Sequence, residues 1–170
     1  MQRIQVLINK DQKTLDRIKL LHPKLRDEVY DLYDDICEAL KGRAICRFSH
    51  TLRTFAEQNA LYAQGRTSPG SKVTNAKGGS SYHNYGLAID IVLIVDGKTA
   101  SWDMKTDFDK DGKSDWQEVV TIFKQYGWEW GGDWKFFDGP HFQKTFSKSV
   151  RELLTLHANG KVDDHGFVKI

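Results

Sequence analysis

Residues 81–95 read Ser-Tyr-His-Asn-Tyr-Gly-Leu-Ala-Ile-Asp-Ile-Val-Leu-Ile-Val, and the second half of this stretch decides the fold. From Leu87 to Val95 the chain is apolar at every position but one, the pattern of a central strand buried on both faces. The exception is Asp90. A lone carboxylate in such a strand costs several kcal/mol unless it is compensated. The compensation is an Arg or Lys partner, a proton, or a cation, and His83 lies seven residues upstream at the edge of a glycine- and serine-rich loop.

Working outward, apolar residues at Leu25, Val29, Leu32, Ile36 and Leu40 form a 3.6-period stripe that ends at Gly42, predicting an amphipathic helix. Asp11 to Leu21 reads as a shorter helix stopped by Pro23. Ala44 to Phe48 reads as a strand, and Thr54 to Gln64 as a helix closed by Gly65. Arg66 to Ser81 holds three Gly, four Ser and a Pro without apolar period, so it reads as a long loop, which in a compact domain is usually functional or disordered. Downstream, Trp116 to Tyr126 is helix-like with Gly127 as its stop, His141 to Gln143 suits a short strand, and Val150 to Leu156 a late helix. From Ser147 to Ile170 there is no functional reading beyond packing. The order predicts an α+β fold: helices packed on a central, mostly antiparallel sheet, one domain over 1–170 with its motif-bearing core at about 44–146.

Composition excludes several classes. The 170 residues suffice for one hydrophobic core. Lys and Arg number 25 against 23 Asp and Glu, and a net charge of +2 is too small for the basic footprint of a nucleic-acid or membrane-surface binder. No apolar run approaches the ~20 residues of a membrane span, and MQRIQVLINK lacks a signal-peptide h-region, so synthesis as a soluble cytoplasmic protein is expected. Cys37 and Cys46 form no CxxC pattern and read as core residues. His22, His50, His157 and His165 lack ligand spacing and read as surface or capping residues.

Around Asp90 the pattern is SxHxxGxAxD, from Ser81 to Asp90, and Asp138-Gly139-Pro140-His141 supplies a second acid and a second His. Gly86 lets the chain turn from loop into strand, and Ala88 leaves room on the face where Asp90 points. Two imidazoles and a carboxylate form a three-ligand set with a fourth position open, the signature of a catalytic rather than structural zinc.

These motifs resemble the zinc D-Ala-D-Ala carboxypeptidases of the VanY type and the related L-alanyl-D-glutamate endopeptidases of bacteriophage endolysins, over about Arg53 to Phe142. The resemblance implies a fold like that of the D-Ala-D-Ala peptidases and hedgehog domains. It implies that His83, Asp90 and His141 hold one Zn²⁺ and that Asp138 is the general base for the water the metal activates. Many relatives carry Glu at that position; the endopeptidase-like branch tolerates Asp, which favours that branch. Arg53 looks like the family's upstream Arg, suited to an oxyanion or a substrate carboxylate, against the plainer reading of a helix-start surface Arg. Ser81, Gln58 and Trp130 are candidate substrate contacts; Ser81 reads equally as a turn cap and Trp130 equally as core. Asp133, close in sequence, is a candidate support for a ligand His.

A second cation signal lies in Asp107-Phe-Asp-Lys-Asp-Gly-Lys-Ser-Asp-Trp-Gln-Glu118, which fits an EF-hand loop at every acidic position, with Gly sixth and Glu twelfth. Asp107, Asp109, Asp111 and Glu118 would give side-chain oxygens, Lys113 its carbonyl, and Asp115 a direct or water-mediated contact. A proper entering helix is missing, so the expectation is one structural Ca²⁺, against a merely solvated acidic turn.

The resulting expectation is a zinc metallopeptidase cutting the peptidoglycan stem peptide, foremost an L-alanyl-D-glutamate endopeptidase acting as an endolysin. It would be a monomer without nucleic-acid or membrane partners, reaching the wall after holin-dependent release if of phage origin. The alternatives are a D-Ala-D-Ala carboxypeptidase and a non-catalytic zinc-stabilised binding module.

Overall fold

Asp11 opens the first helix by accepting from the backbone N–H and the hydroxyl of Thr14, while Arg47 forks onto the same carboxylate at 3.0 and 2.8 Å. One buried acid thus caps α1 (Gln12–Ile18) and fastens it to β1 (Ala44–His50). The computed structural model describes residues 10–170, so the signal-peptide reading of the N-terminal stretch lies outside the described residues.

The helix expected to run to Leu21 stops at Ile18, with Lys19 as its C-cap, and Pro23 instead starts α2 (Pro23–Ala39), at a position where its missing N–H costs nothing. His22 caps that helix: its Nδ1 accepts from the Lys24 N–H. Leu25, Val29, Leu32 and Ile36 are all buried, as their spacing requires. A capping box between Thr54 and Glu57 starts α3 (Phe55–Ala63). Residues 66–81 contain no helix or strand, and a 3₁₀ turn at Tyr82–Tyr85 leads through Gly86 into β2 (Ala88–Val95). There follow β3 (Thr99–Ser101), α4 (Asp115–Gln125), β4 (Glu129–Trp130), a 3₁₀ turn at Gly131–Asp133, β5 (His141–Gln143) and α5 (Val150–Ala158).

All strand pairs are antiparallel, in the order β1-β2-β5-β4. β2 is central: β1 covers one edge, while β5 pairs with residues 88–90 and β3 with residues 93–95 on the other. The two short strands β3 and β4 are absent from the sequence reading: unlike the His-Phe-Gln of β5, Thr-Ala-Ser and Glu-Trp carry no strand pattern of their own and pair only because β2 and β5 offer them an edge. Every residue of β2 except Asp90 is buried. The sheet packs against Trp116 and Phe123 of α4, with the Phe123 ring stacked 4.0 Å from that of Phe142 in β5. Cys46 is buried, Cys37 partly so, and both are free thiols. Among the described residues no helix is long and apolar enough to cross a membrane.

Gly86 is the hinge between motif loop and strand. Its φ is +67°, and a Cβ there would lie 2.6 Å from the backbone nitrogen of His22, so both conformation and space demand glycine.

Candidate active site

Three acceptor atoms converge at the end of β2 nearest Gly86. His83 arrives on the 3₁₀ turn, Asp90 on β2, and His141 on β5, directly opposite Asp90 in the antiparallel register. His83 Nε2 and His141 Nδ1 lie 3.2 and 3.1 Å from Asp90 Oδ1. The remaining ring nitrogens fix the tautomers. His83 Nδ1 sits 2.7 Å from the carbonyl oxygen of Thr51, which can only accept, so the proton is on Nδ1 and Nε2 keeps its lone pair. His141 Nε2 lies 3.0 Å from Gln143 Oε1, and the Gln143 amide is oriented by donating its Nε2 to Glu129. His141 Nδ1 therefore also faces inward as an acceptor.

The buried Nε2 of His83 has no hydrogen-bond partner. Two imidazole lone pairs and a carboxylate, ligand atoms within 4.8 Å of one another, are a donor set that a divalent cation satisfies and that no group of the described residues does. Without a cation, burial opposes ionisation of Asp90, but protons taken up on the two inward-facing nitrogens are donated to it and hold its carboxyl well below the usual carboxylate range. Burial pulls His141 down, and the Asp90 carboxylate more than restores it, leaving its pKa raised, so a cation here competes with a proton for Nδ1.

The cleft over this triad is lined by His50, Arg53, Ser81, Trp102 and Asp138 among others. The Arg53 Nη2 reaches to 3.8 Å from Asp90 Oδ2, and its Nη1 donates to Gln58 Oε1 at 2.9 Å. Gln58 is fully buried and donates to the carbonyl of Ala76, so it is a brace for Arg53 and not a surface that meets substrate. Ser81 lines the cleft and also caps the 3₁₀ turn by accepting from the His83 N–H. Trp130 does not line the cleft; its indole N–H donates to the carbonyl of Gly139 at 2.7 Å and braces the 138–141 turn from behind. Asp133 points away as well, in an exposed ion pair with Lys124 at 2.7 Å.

Asp138 stands exposed at the cleft mouth, its backbone N–H bound to the carbonyl of Gly131. Partial burial against the wall, with the negative charge of Asp90, raises its pKa above the ordinary value. Gly131 has to be glycine: a Cβ there would lie 2.4 Å from the Asp138 carbonyl oxygen. The structure adds residues that sequence reasoning did not reach. Trp102 and His50 line the cleft, the Trp134 ring lies 5.3 Å from that of His141, and the Glu129–Gln143 pair sets the His141 tautomer. None carries a spacing signal; only Gln143, two residues after the candidate ligand His141 on one strand face, could have been suspected.

The acidic loop forms as its spacing predicts. Asp107 accepts from the backbone N–H groups of Asp111 and Gly112, Gly112 has φ +95°, and Ser114 caps α4. Carboxylate oxygens of Asp107, Asp109 and Asp115 cluster within 4.8 Å, as do those of Asp109, Asp111 and Glu118. The Lys113 backbone N–H donates to Asp111 Oδ1 at 2.8 Å. Burial, then the charges of Asp111, Asp109 and Asp115, push the Glu118 carboxyl up to about 7.

With this geometry in hand, the likeness to known proteins is specific. A sequence model of the peptidase family described as D-alanyl-D-alanine carboxypeptidase matches residues 74–144. The peptidoglycan L-alanyl-D-glutamate endopeptidase CwlK of Bacillus subtilis (strain 168) is 58% identical over 122 residues, 68% of this chain and 73% of CwlK. The L-alanyl-D-glutamate peptidase of Listeria phage A118 is 44% identical over 64 residues, 37% of this chain and 20% of the phage protein. Among solved structures, the L-Ala D-Glu endopeptidase ChiX of Serratia marcescens superposes with a TM-score of 0.52 at 25% identity, covering 79% of this chain and 88% of ChiX.

Proposed function

The chain belongs to the peptidase family that unites D-alanyl-D-alanine carboxypeptidases with L-alanyl-D-glutamate endopeptidases, and from that premise we propose that it is a zinc endopeptidase cutting the L-alanyl-D-glutamate bond of the peptidoglycan stem peptide. Members of the family are zinc enzymes. The observation that carries the reading is the convergence of three inward-facing acceptors, on His83, Asp90 and His141, in the same cleft as Asp138 and Arg53. His83, Asp90 and His141 would hold the ion; when bound, zinc acts as a Lewis acid that brings the pKa of water to about 7 and polarises a carbonyl.

The chain's own groups do the rest. Asp138, at the cleft mouth, accepts the proton of the attacking water and returns it to the leaving amine of D-glutamate. Its raised pKa suits both directions of transfer. The Arg53 guanidinium, held by Gln58, faces the reacting carbonyl and stabilises the negative charge that builds on its oxygen. Ser81 offers its hydroxyl to a substrate backbone group, and Trp102 supplies an apolar wall. The peptidase acts as a monomeric single domain at the cell wall, and its stem-peptide cleft calls for no nucleic-acid or membrane partner.

The test is digestion of purified peptidoglycan, with released termini identified by mass spectrometry with and without chelator. New L-Ala carboxyl and D-Glu amino ends that vanish on chelation are the expected result. Free D-Ala alone moves the enzyme to the carboxypeptidase branch. No release from zinc-loaded protein overturns the enzymatic reading in favour of a binding module.

A further inference from the structure

We propose that the loop Asp107–Glu118 binds one calcium ion, and that this ion fixes the segment 102–106, whose Trp102 lines the cleft. The ion site stands apart from the peptidase reading; only the role of the wall rests on it.

A cluster of acids is not by itself a site, but two atoms here demand a ligand. Asp115 is fully buried; its Oδ1 accepts from the Phe108 N–H at 2.7 Å, whereas Oδ2 is buried without a hydrogen-bond partner. Glu118 Oε2, one turn into α4, is likewise buried and unpartnered. Both belong to the acidic groups whose oxygens approach within 4.8 Å. Among the described residues no salt bridge reaches any of the five carboxylates. Burying ionised oxygens without a cation costs several kcal/mol. An all-oxygen donor set on a twelve-residue loop ending in Glu suits calcium, which takes six to eight oxygens in flexible geometry, better than magnesium or zinc.

The loop is wired to the cleft through backbone and packing. Ser114 Oγ donates to the carbonyl of Met104 at 2.7 Å, and the Asp115 N–H to that of Thr106 at 3.4 Å. The Met104 thioether packs so tightly on Gly139 that a Cβ there would lie 2.0 Å from its Cε, and Gly139 is the residue between Asp138 and Pro140. Trp102, two residues before Met104, lines the cleft. An ion that draws Asp115 and Glu118 together with Asp107 therefore immobilises the strip from Trp102 to Thr106.

Zinc-loaded full-length protein freed of calcium is titrated with calcium chloride by calorimetry, melted with and without the ion, and followed by amide hydrogen exchange. One calcium per chain is expected, with a melting temperature raised by roughly 5–10 °C at about a hundredfold above Kd, and slowed exchange at 102–106. Glu118→Gln should weaken calcium binding at least about tenfold and abolish the melting shift while zinc content stays at one; Asp107→Asn, outside the helix, should do the same. No bound calcium, or an equal shift in both variants, overturns the site. Calcium binding that leaves exchange at 102–106 unchanged overturns the link to the wall.

Discussion

Asp90 and His141 are direct partners across the antiparallel β2–β5 pair, and their side chains meet with Oδ1 3.1 Å from Nδ1. One backbone register thus sets two of the three proposed ligand positions. A slip by one residue would turn either side chain to the opposite face of the sheet. His83 is brought to the same oxygen from the far side of Gly86, by a 3₁₀ turn that Ser81 and Asn84 cap reciprocally.

Removing one of these ligands should remove the metal. His141→Ala is expected to lose stoichiometric zinc and activity together, read by metal analysis of purified protein. A variant that still carries one zinc per chain would show the ligand set to be misassigned.

The tautomer lock is a separate contribution. In Gln143→Ala the acceptor for His141 Nε2–H is gone while all three ligands remain. Zinc affinity should fall about 10–100-fold, measured by competition with a chromophoric chelator, with the far-ultraviolet circular dichroism unchanged. Undiminished affinity would remove the Glu129–Gln143 pair from the site.

Asp138→Asn keeps shape and removes the proton acceptor. Turnover should drop about 10²–10⁴-fold at unchanged zinc content. Full activity would take Asp138 out of the mechanism.

Gln58 acts through Arg53. Gln58→Leu leaves the cleft lining intact but frees the guanidinium, so kcat should fall by about tenfold, less than the roughly 10²-fold loss in Arg53→Ala, with zinc still bound. Equal losses in both variants, together with a collapse of the melting temperature, would mark Gln58 as a folding residue only.

Asp11 gives a pH signature far from the site. Burial raises its pKa, but hydrogen bonds from Arg47 and Thr14 win, and the folded-state value is lowered from 3.8. A depressed carboxylate stabilises the fold above its unfolded pKa and loses that contribution as pH falls through the folded value. Asp11→Asn keeps a side-chain acceptor for the Thr14 N–H, since Asn caps as well as Asp, so its cost of about 1–3 kcal/mol at neutral pH is that of the lost charged pair with Arg47. The gap to the parent should begin to narrow below about pH 4 and shrink further as pH falls through the folded-state value. Denaturant melts at pH 7 and pH 3 with an unchanged gap would refute the ion-pair account.

Much of the fold was legible because its signals are local. The stripe from Leu25 to Ile36, the helix starts at Asp11 and Thr54, and the apolar run around Asp90 each announce an element without reference to anything distant. β3 and β4 were not legible, because their few residues become strands only when an edge is offered to them. Within the site, His83, Asp90, His141 and Asp138 could be read from motif spacing. Gln58 and Trp130 could not be assigned, since whether an amide or an indole meets substrate or braces a neighbour depends on which way the backbone turns it.

The sequence by itself determined which residues can ligate cations, through the spacing of acids and imidazoles around Gly86 and Gly112, and which faces are buried, through periodicity. Tertiary structure decided the rest. Pairing β2 with β5 set the distance between Asp90 and His141, and Thr51 and Gln143 chose the nitrogen that each imidazole presents. The strand pairing and the Thr51 contact need atoms 51 and 32 residues away, and Gln143, though only two residues from His141, is oriented by Glu129 on the neighbouring strand; no local pattern encodes a contact made only when the sheet closes.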